Sequence, residues 1–413
     1  MKEPRFLVFV VVCLMAASFS INAQVTKITS TSAFDADSVG FDFQEYQAEV
    51  QVPDVVAKWG LSFQNVDTLP PKIGMIVPPI GGGDPDRVLE NPTGAGANSP
   101  LIVNFKYPVS KVGFNASNGT SSTVVTLTAY DPLGTKLGTV TETGLASEKF
   151  VGVSTTSNRG IAKLTIDYGD ATEAEQIDNL TFDYLSRPKF NTYLAQVGDL
   201  KGFLQTILVI SNLTNSTAQG ELRLFDSEGA PLSLKLGNET NSVFPFSVPP
   251  FSSKNLPTQA DSDPLKFGYA EIESNVPVEG TAIFRYISGD TTLAEAGVGS
   301  SVVRPLVVGV AQKVVARQFD TGVAAVNPNG EAINARVKLF NEAGTLVATN
   351  DGDLDLPAHG HKARSLSELF PEFAESDFTG TLVITSDKPV ALVMIRTLGG
   401  IAQSTLPVGS TFQ

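Results

Sequence analysis

The chain is 413 residues long, room for two or three domains at roughly 100–200 residues each, and 43 acidic against 29 basic side chains leave a net charge of -14. That balance excludes a nucleic-acid partner, whose phosphates need a basic footprint. Apolar content of 42%, without the Leu/Ala/Lys/Glu periodicity of long helices, excludes disorder and coiled coil.

Met1–Ala23 has the three parts of a secretory signal. Lys2 and Arg5 give a positive start, Phe6–Ala17 is an unbroken apolar run, and Ala23 is a small residue ahead of Gln24. The run is too short to span a hydrocarbon core comfortably, and no second long apolar run follows, so the expectation is cleavage before Gln24 and no transmembrane segment in the mature chain. The only cysteine, Cys13, lies in the signal, so the exported chain is held without disulfides, as is common in bacterial exports. Six N-x-S/T sequons, at Asn115, Asn118, Asn179, Asn212, Asn215 and Asn238, read as chance in a Ser/Thr-rich chain.

Residues 24–186 read as short strands separated by turns. The β-rich runs are Leu101–Lys106, Ser110–Asn115, Thr123–Tyr130, Thr135–Thr141, Lys149–Ser154, Ile161–Tyr168 and Ile177–Tyr184. In Thr123–Tyr130, Val125, Leu127 and Ala129 share one face, and Thr126, Thr128 and Tyr130 the other. Asp131-Pro132-Leu133-Gly134 then sets a tight turn. Strands at this spacing predict a sandwich or jelly roll. Pro70–Pro100, with Pro78-Pro79 and Gly81–Gly83, reads as one long surface loop.

Arg187-Pro188 is the natural seam, and beyond it the chain repeats itself. Glu221–Gly229 matches Arg336–Gly344, Asn212 and Asn327 keep the same offset, and Gly268–Pro277 matches Gly380–Pro389. The units, 189–300 and 301–413, are each roughly the size of one Ig-like sandwich. Leu222 and Leu224 are expected inside, as are Val337 and Leu339, with Arg223 and Lys338 outside. Ser365-Leu-Ser-Glu368 is a capping box, and Pro371 stops the short helix it predicts.

Several motifs point to family likeness. Phe41-Asp42-Phe43, Trp59–Phe63, Pro108–Phe114, Leu127–Asp131 and Ile177–Phe182 resemble the jelly-roll domains of bacterial exported proteins akin to carbohydrate-binding modules. The tandem units resemble Ig-like repeats at the C-terminal ends of bacterial secreted and surface proteins. The expected fold is therefore all-β: an N-terminal jelly-roll sandwich followed by two Ig-like β-sandwich repeats. Calcium-bearing members of the first family clamp the ion between an acid on the first strand and an Asp opening the last. Asp42 and Asp178 match those positions, so the resemblance implies a structural calcium ion there.

Other constellations carry less. Asn350–Asp355 is acidic but lacks the glutamate that closes an EF-hand loop, and it reads as a solvated turn. His359 and His361, the only histidines, sit in an expected hairpin turn with no cysteine to help them hold a metal. There is no G-x-S-x-G elbow and no phosphate loop after Gly81–Gly83. Of the aromatic residues that could stack on a sugar, Tyr46, Tyr107 and Tyr168 stay open, Trp59 reads as core, and Tyr130, alternating outward, is the candidate ligand contact. Three function classes remain. The leading expectation is an exported, non-enzymatic surface or secreted protein that binds glycan or mediates adhesion. A structural spacer without a ligand and a secreted glycan-active enzyme are the alternatives.

Overall fold

The structure, a computed structural model, describes residues 25–44, 54–64, 71–76, 86–91, 100–117, 124–145, 147–169, 175–301, 303–399 and 401–409. The signal segment, Tyr46, Asn118, Pro78-Pro79 and Gly81–Gly83 lie outside the described residues. The chain divides into two compact units, residues 1–186 and 187–413. Both are all-β.

The first unit opens with β1 (Val25–Ile28), β2 (Val39–Phe41), helix α1 (Asp54–Lys58) and β3 (Leu61–Gln64). Next come β4 (Lys72–Ile76) and β5 (Asp86–Asn91), an antiparallel hairpin within the stretch expected as one long loop. Its second strand pairs with the chain at Glu175–Ile177, so the Pro/Gly signal marked the links and not the strands between them. The rest follows as β6 (Leu101–Ser117), β7 (Val124–Tyr130), β8 (Lys136–Thr143), β9 (Lys149–Thr155), β10 (Ile161–Asp167) and β11 (Glu175–Tyr184).

Two expected strands are here the single 17-residue β6. Its first half pairs with β3 and β10, its second with β9 and β11, so the strand passes from one sheet into the other. The bend falls at Pro108, which has no N–H to lose from a ladder, and whose carbonyl accepts the Leu185 N–H at 2.9 Å. Counting β2 and the two halves of β6 as the first three of eight strands, the sheets run 1-8-3-6 and 2-7-4-5. This is the double Greek key of a jelly roll. Val112, Phe114, Val151, Val153, Leu180 and Phe182 from one sheet meet Leu101, Val103, Val125, Leu127, Leu164 and Ile166 from the other, every one fully buried.

The second unit holds two sandwiches. The first comprises β12 (Phe190–Asp199), β13 (Leu204–Asn212), β14 (Ala218–Phe225), a small hairpin of β15 (Leu234–Leu236) and β16 (Glu239–Asn241), then β17 (Val243–Val248), β18 (Ser252–Pro257), β19 (Lys266–Ser274), β20 (Glu279–Ser288) and β21 (Thr291–Gly299). The second comprises β22 (Val303–Lys313), β23 (Phe319–Val326), β24 (Ala335–Asn341), β25 (Leu346–Asp351), β26 (His361–Ser365), helix α2 (Leu366–Leu369), the 21-residue β27 (Phe378–Leu398), β28 (Ile401–Leu406) and β29 (Val408–Gly409).

Their strand orders coincide. The first has sheets β12-β19-β14-β17 and β18-β13-β20-β21; the second has β22-β27-β24-β25 and, through the far half of β27, β26-β23-β27-β28. Numbered as eight strands, both read 1-6-3-4 and 5-2-7-8. An immunoglobulin sandwich shares the 2/5 and 3/6 pairings but sets the first strand beside the second and the seventh beside the sixth. Here those end strands are exchanged. The crossing at Pro277 or Pro389 carries the chain straight from one sheet to the other, so the seventh strand does not return beside the sixth.

The repeat extends to single hydrogen bonds. The Thr206 hydroxyl donates to Gly198 O at 2.6 Å and Thr321 to Gln312 O at 3.0 Å. The buried Asn212 amide donates to Ser216 O, Val248 O and Pro249 O, and the buried Asn327 amide to Glu331 O, Leu356 O and Pro357 O. Asp226 and Asn341 each accept two backbone N–H groups across their turns. Leu222, Leu224, Val337 and Leu339 are all in the core. The capping box forms with both bonds: Glu368 N–H donates to Ser365 Oγ at 3.2 Å and Ser365 N–H to Glu368 Oε2 at 2.6 Å.

Candidate functional site

The alternation in β7 places Val125, Leu127 and Ala129 in the jelly-roll core with no exposure, and sends Thr126, Thr128 and Tyr130 outward. Their cross-strand neighbours follow from register. Gln64, Ile102, Thr165, Thr128 and Thr139 lie in one row across five strands; Ser62, Asn104, Lys163, Tyr130 and Lys136 lie in the next. Asp167, Thr126 and Thr141 begin a third. This sheet face thus carries hydroxyl, amide and ammonium groups, with the apolar Ile102 among them, around one phenol ring. The Lys163 ammonium stands 4.1 Å from the centre of the Tyr130 ring, and the Thr128 and Thr139 hydroxyls are 3.3 Å apart. Chemically, such a face offers several neutral donors and acceptors and one stacking surface, the inventory a polyhydroxylated ligand requires. The sequence singled out Tyr130 but not Asn104 or Lys163, because only strand pairing brings residues so distant in the chain beside it.

The two carboxylates assigned to calcium come to neighbouring strands, since β2 pairs with β11 and Phe41 stands opposite Leu180. Asp42 is exposed and accepts the Gln44 N–H at 3.2 Å. Asp178 is buried, and its oxygens accept the Asn179 backbone N–H at 2.7 Å and side-chain amide at 2.9 Å. Among the described residues, no three His, Asp or Glu side chains gather into a metal-binding group.

The other candidates resolve structurally. Trp59 is buried against Phe41, and Tyr184 donates its hydroxyl to the Trp59 carbonyl at 2.7 Å. Tyr168 is also buried, donating to Gln176 O. Tyr107 is half-buried and packs edge-on against Tyr184. In the acidic turn, Asp351 pairs with Arg336 and Asp355 accepts the Ala335 N–H. His361 is buried, and burial holds its imidazole down at about 4, while His359 is exposed. Sequence reasoning missed the buried acids. Burial works to raise Asp199, yet the Ser262, Thr258 and Ala260 groups that hydrogen-bond it hold it below the usual range. Asp183 is nearly enclosed; it pairs with Lys111 at 3.0 Å and accepts the Asp35 N–H at 3.3 Å, tying the start of the described chain to the eighth strand.

No protein-family model and no curated protein matches this chain. Two solved structures align with it. One, described as the triple jelly roll fold and turret assembly in an archaeal virus, is 14% identical, with 81% of this chain and 91% of that chain covered and a TM-score of 0.19. The other, from Sulfolobus Turreted Icosahedral Virus, is 12% identical, with 90% and 100% covered and a TM-score of 0.20. At such scores the likeness carries no functional argument.

Proposed function

We propose that this is an exported, non-catalytic binding protein of a bacterial exterior, whose jelly roll takes a neutral glycan on the face around Tyr130 and whose tandem sandwiches serve as its support. The observation that carries this reading is the pair of rows running across five strands, polar except at Ile102, with Tyr130 among them. A pyranose stacking on Tyr130 displaces the Lys163 ammonium, whose flexible stem moves at little cost, while Asn104 and the threonine row supply hydrogen bonds to ring hydroxyls. The net charge of -14 disfavours polyanions and anionic lipid, leaving neutral sugars as the matching class. Calcium at Asp42 and Asp178 is not required.

The test is a glycan array probed with the full chain, followed by titration calorimetry on the strongest ligand. Binding at about micromolar strength is expected, weakened about tenfold or more by Tyr130→Ala and by Asn104→Ala. Both side chains lie on the outer face and are half-buried, so circular dichroism of each variant must show the folded spectrum for the loss to count. No retained glycan would favour the spacer reading. Glycan turnover abolished by one Asp or Glu substitution would favour the enzyme.

A further inference from the structure

Within the second unit, one sandwich is seated on the other. Beside the approach of β28 to β21, where the Thr405 hydroxyl donates to Gly297 O at 2.7 Å, the contact is made by the loop between the fourth and fifth strands of the second sandwich, which lands on the outer face of the first sandwich's sheet β12-β19-β14-β17. His359 O accepts the Tyr269 hydroxyl at 3.0 Å, and His361 N–H donates to Ser227 O at 2.9 Å. His361 Nε2 lies 2.9 Å from Gln196 Oε1, and its ring meets those of Phe267 and Tyr269.

Because the two sandwiches are copies, the loop and the face it covers each have a counterpart, and both counterparts are open. The loop's equivalent is fixed by the buried asparagines: Asn327 holds Leu356 and Pro357 as Asn212 holds Val248 and Pro249. His359 therefore corresponds to Phe251. Both residues have left-handed backbone, φ 57° and 52°, and both donate their N–H to the loop after the second strand, to Asn329 O and Thr214 O. Phe251 is 71% exposed. On the receiving side, Gln196, Ser227, Gly229, Phe267 and Tyr269 correspond to Val310, Glu342, Gly344, Thr379 and Thr381. All five line an open trough of about 960 Å³ on the second sandwich, floored by Phe340 and Val383. Val310 is 47% exposed.

A second observation concerns shape. In the first sandwich Phe225 is stacked by Tyr269 at 5.0 Å, whereas its counterpart Phe340 has Thr381 beside it. The trough is a hollow where the occupied face carries a ring, and the unoccupied loop carries the larger, apolar Phe251 where the seated loop carries His359, followed by the small Ser253 where His361 stands. Lys254 lies beyond the loop on β18, and the trough is lined by both Lys338 and Glu342. The match is one of size and polarity: a large apolar side chain on the loop, and a hollow lined by Phe340 and Val383.

We infer that the trough receives the Phe251 loop of a second copy of this chain, repeating between molecules the contact made within each. The loop and the trough lie on different sandwiches, so the association is head-to-tail and leaves a free loop and a free trough at its ends, which extends a row of molecules instead of closing a dimer. A single loop buries little area, so association should be weak, whereas the internal contact is favoured by its tether at an effective concentration of about millimolar. The inference does not depend on glycan binding.

Sedimentation velocity of the full chain from about 5 to 500 μM tests it. The weight-average mass should climb with concentration without reaching a plateau. Phe251→Asp puts a charge in the loop at a left-handed position that Asp accepts, and Thr381→Tyr fills the hollow with the residue the first sandwich carries there. Each variant alone should remain monomeric with an unchanged melting temperature. Mixed, they should form a 1:1 dimer and nothing larger, because one retains the trough and the other the loop; that dimer also shows that both are folded. A wild type that stays monomeric throughout, a closed dimer untouched by either variant, or a mixture that stays monomeric would overturn the inference.

Discussion

Asn212 and Asn327 show how much one buried amide can organise. Each donates to three carbonyls of two separate loops, and each accepts a backbone N–H two residues on, from Thr214 or Asn329. Replacing either by Ala leaves those buried groups unpaired, so Asn212→Ala and Asn327→Ala should each cost about 2–4 kcal/mol in urea unfolding, with matching effects in the two sandwiches. His361 makes a pH-dependent contribution. Its folded value, held down at about 4 by burial, lies below the ordinary value near 6.5, so the unfolded or separated form takes up a proton first as pH falls. Stability is complete above about pH 6.5 and declines toward pH 4, by ~3 kcal/mol in total from this group. Burial holds the neighbouring Glu271 carboxyl above the usual range, and that group acts in the opposite sense. Urea midpoints measured from pH 7 to 4 should therefore fall more steeply in the wild type than in His361→Gln.

At the scale of elements, the sheets set limits that single residues must meet. A Cβ on Gly268 would stand 1.9 Å from Phe225 O, and one on Gly380 2.0 Å from Phe340 O, because these glycines let the sixth strand close onto the third. Gly380→Ala should cost more than about 3 kcal/mol, whereas Gly299→Ala, with nothing within 4 Å, should stay within about 0.5 kcal/mol; thermal unfolding of the two variants checks both. Much of this framework was legible in the sequence. The period-two pattern located β7–β11 to within a few residues, and the Phe225/Phe340 and Asn212/Asn327 offsets exposed the repeat. The hairpin of β4 and β5 was hidden because Pro and Gly on either side of short strands look like loop. The fusion of two runs into β6 was hidden because Pro108 reads as a break, although a proline costs nothing where a strand changes sheets. Helix α1 had no capping signal of the kind that revealed α2. At the candidate site, Tyr130 was visible because alternation is local, while the Asn104–Lys163–Tyr130 row depends on pairings that no local pattern encodes.

The whole molecule stands without a covalent cross-link in its described part. Its two compact units each rely on apolar layers and on strands that serve more than one sheet. β6 and β27 have the same design: one unbroken strand, bent at Pro108 or Pro389, whose halves lie in opposite layers. An ordinary sandwich is two layers joined by loops, and tension on the chain can peel one layer away while the other stays intact. Here the layers share a backbone. A pull that strips neighbours from one half of β27 drags on the hydrogen bonds of the other half through covalent bonds alone, with no slack loop between to absorb it. Both layers must therefore yield in the same event, which gives the described part of the chain, held without a disulfide, a mechanical cooperativity that its hydrophobic cores alone would not provide.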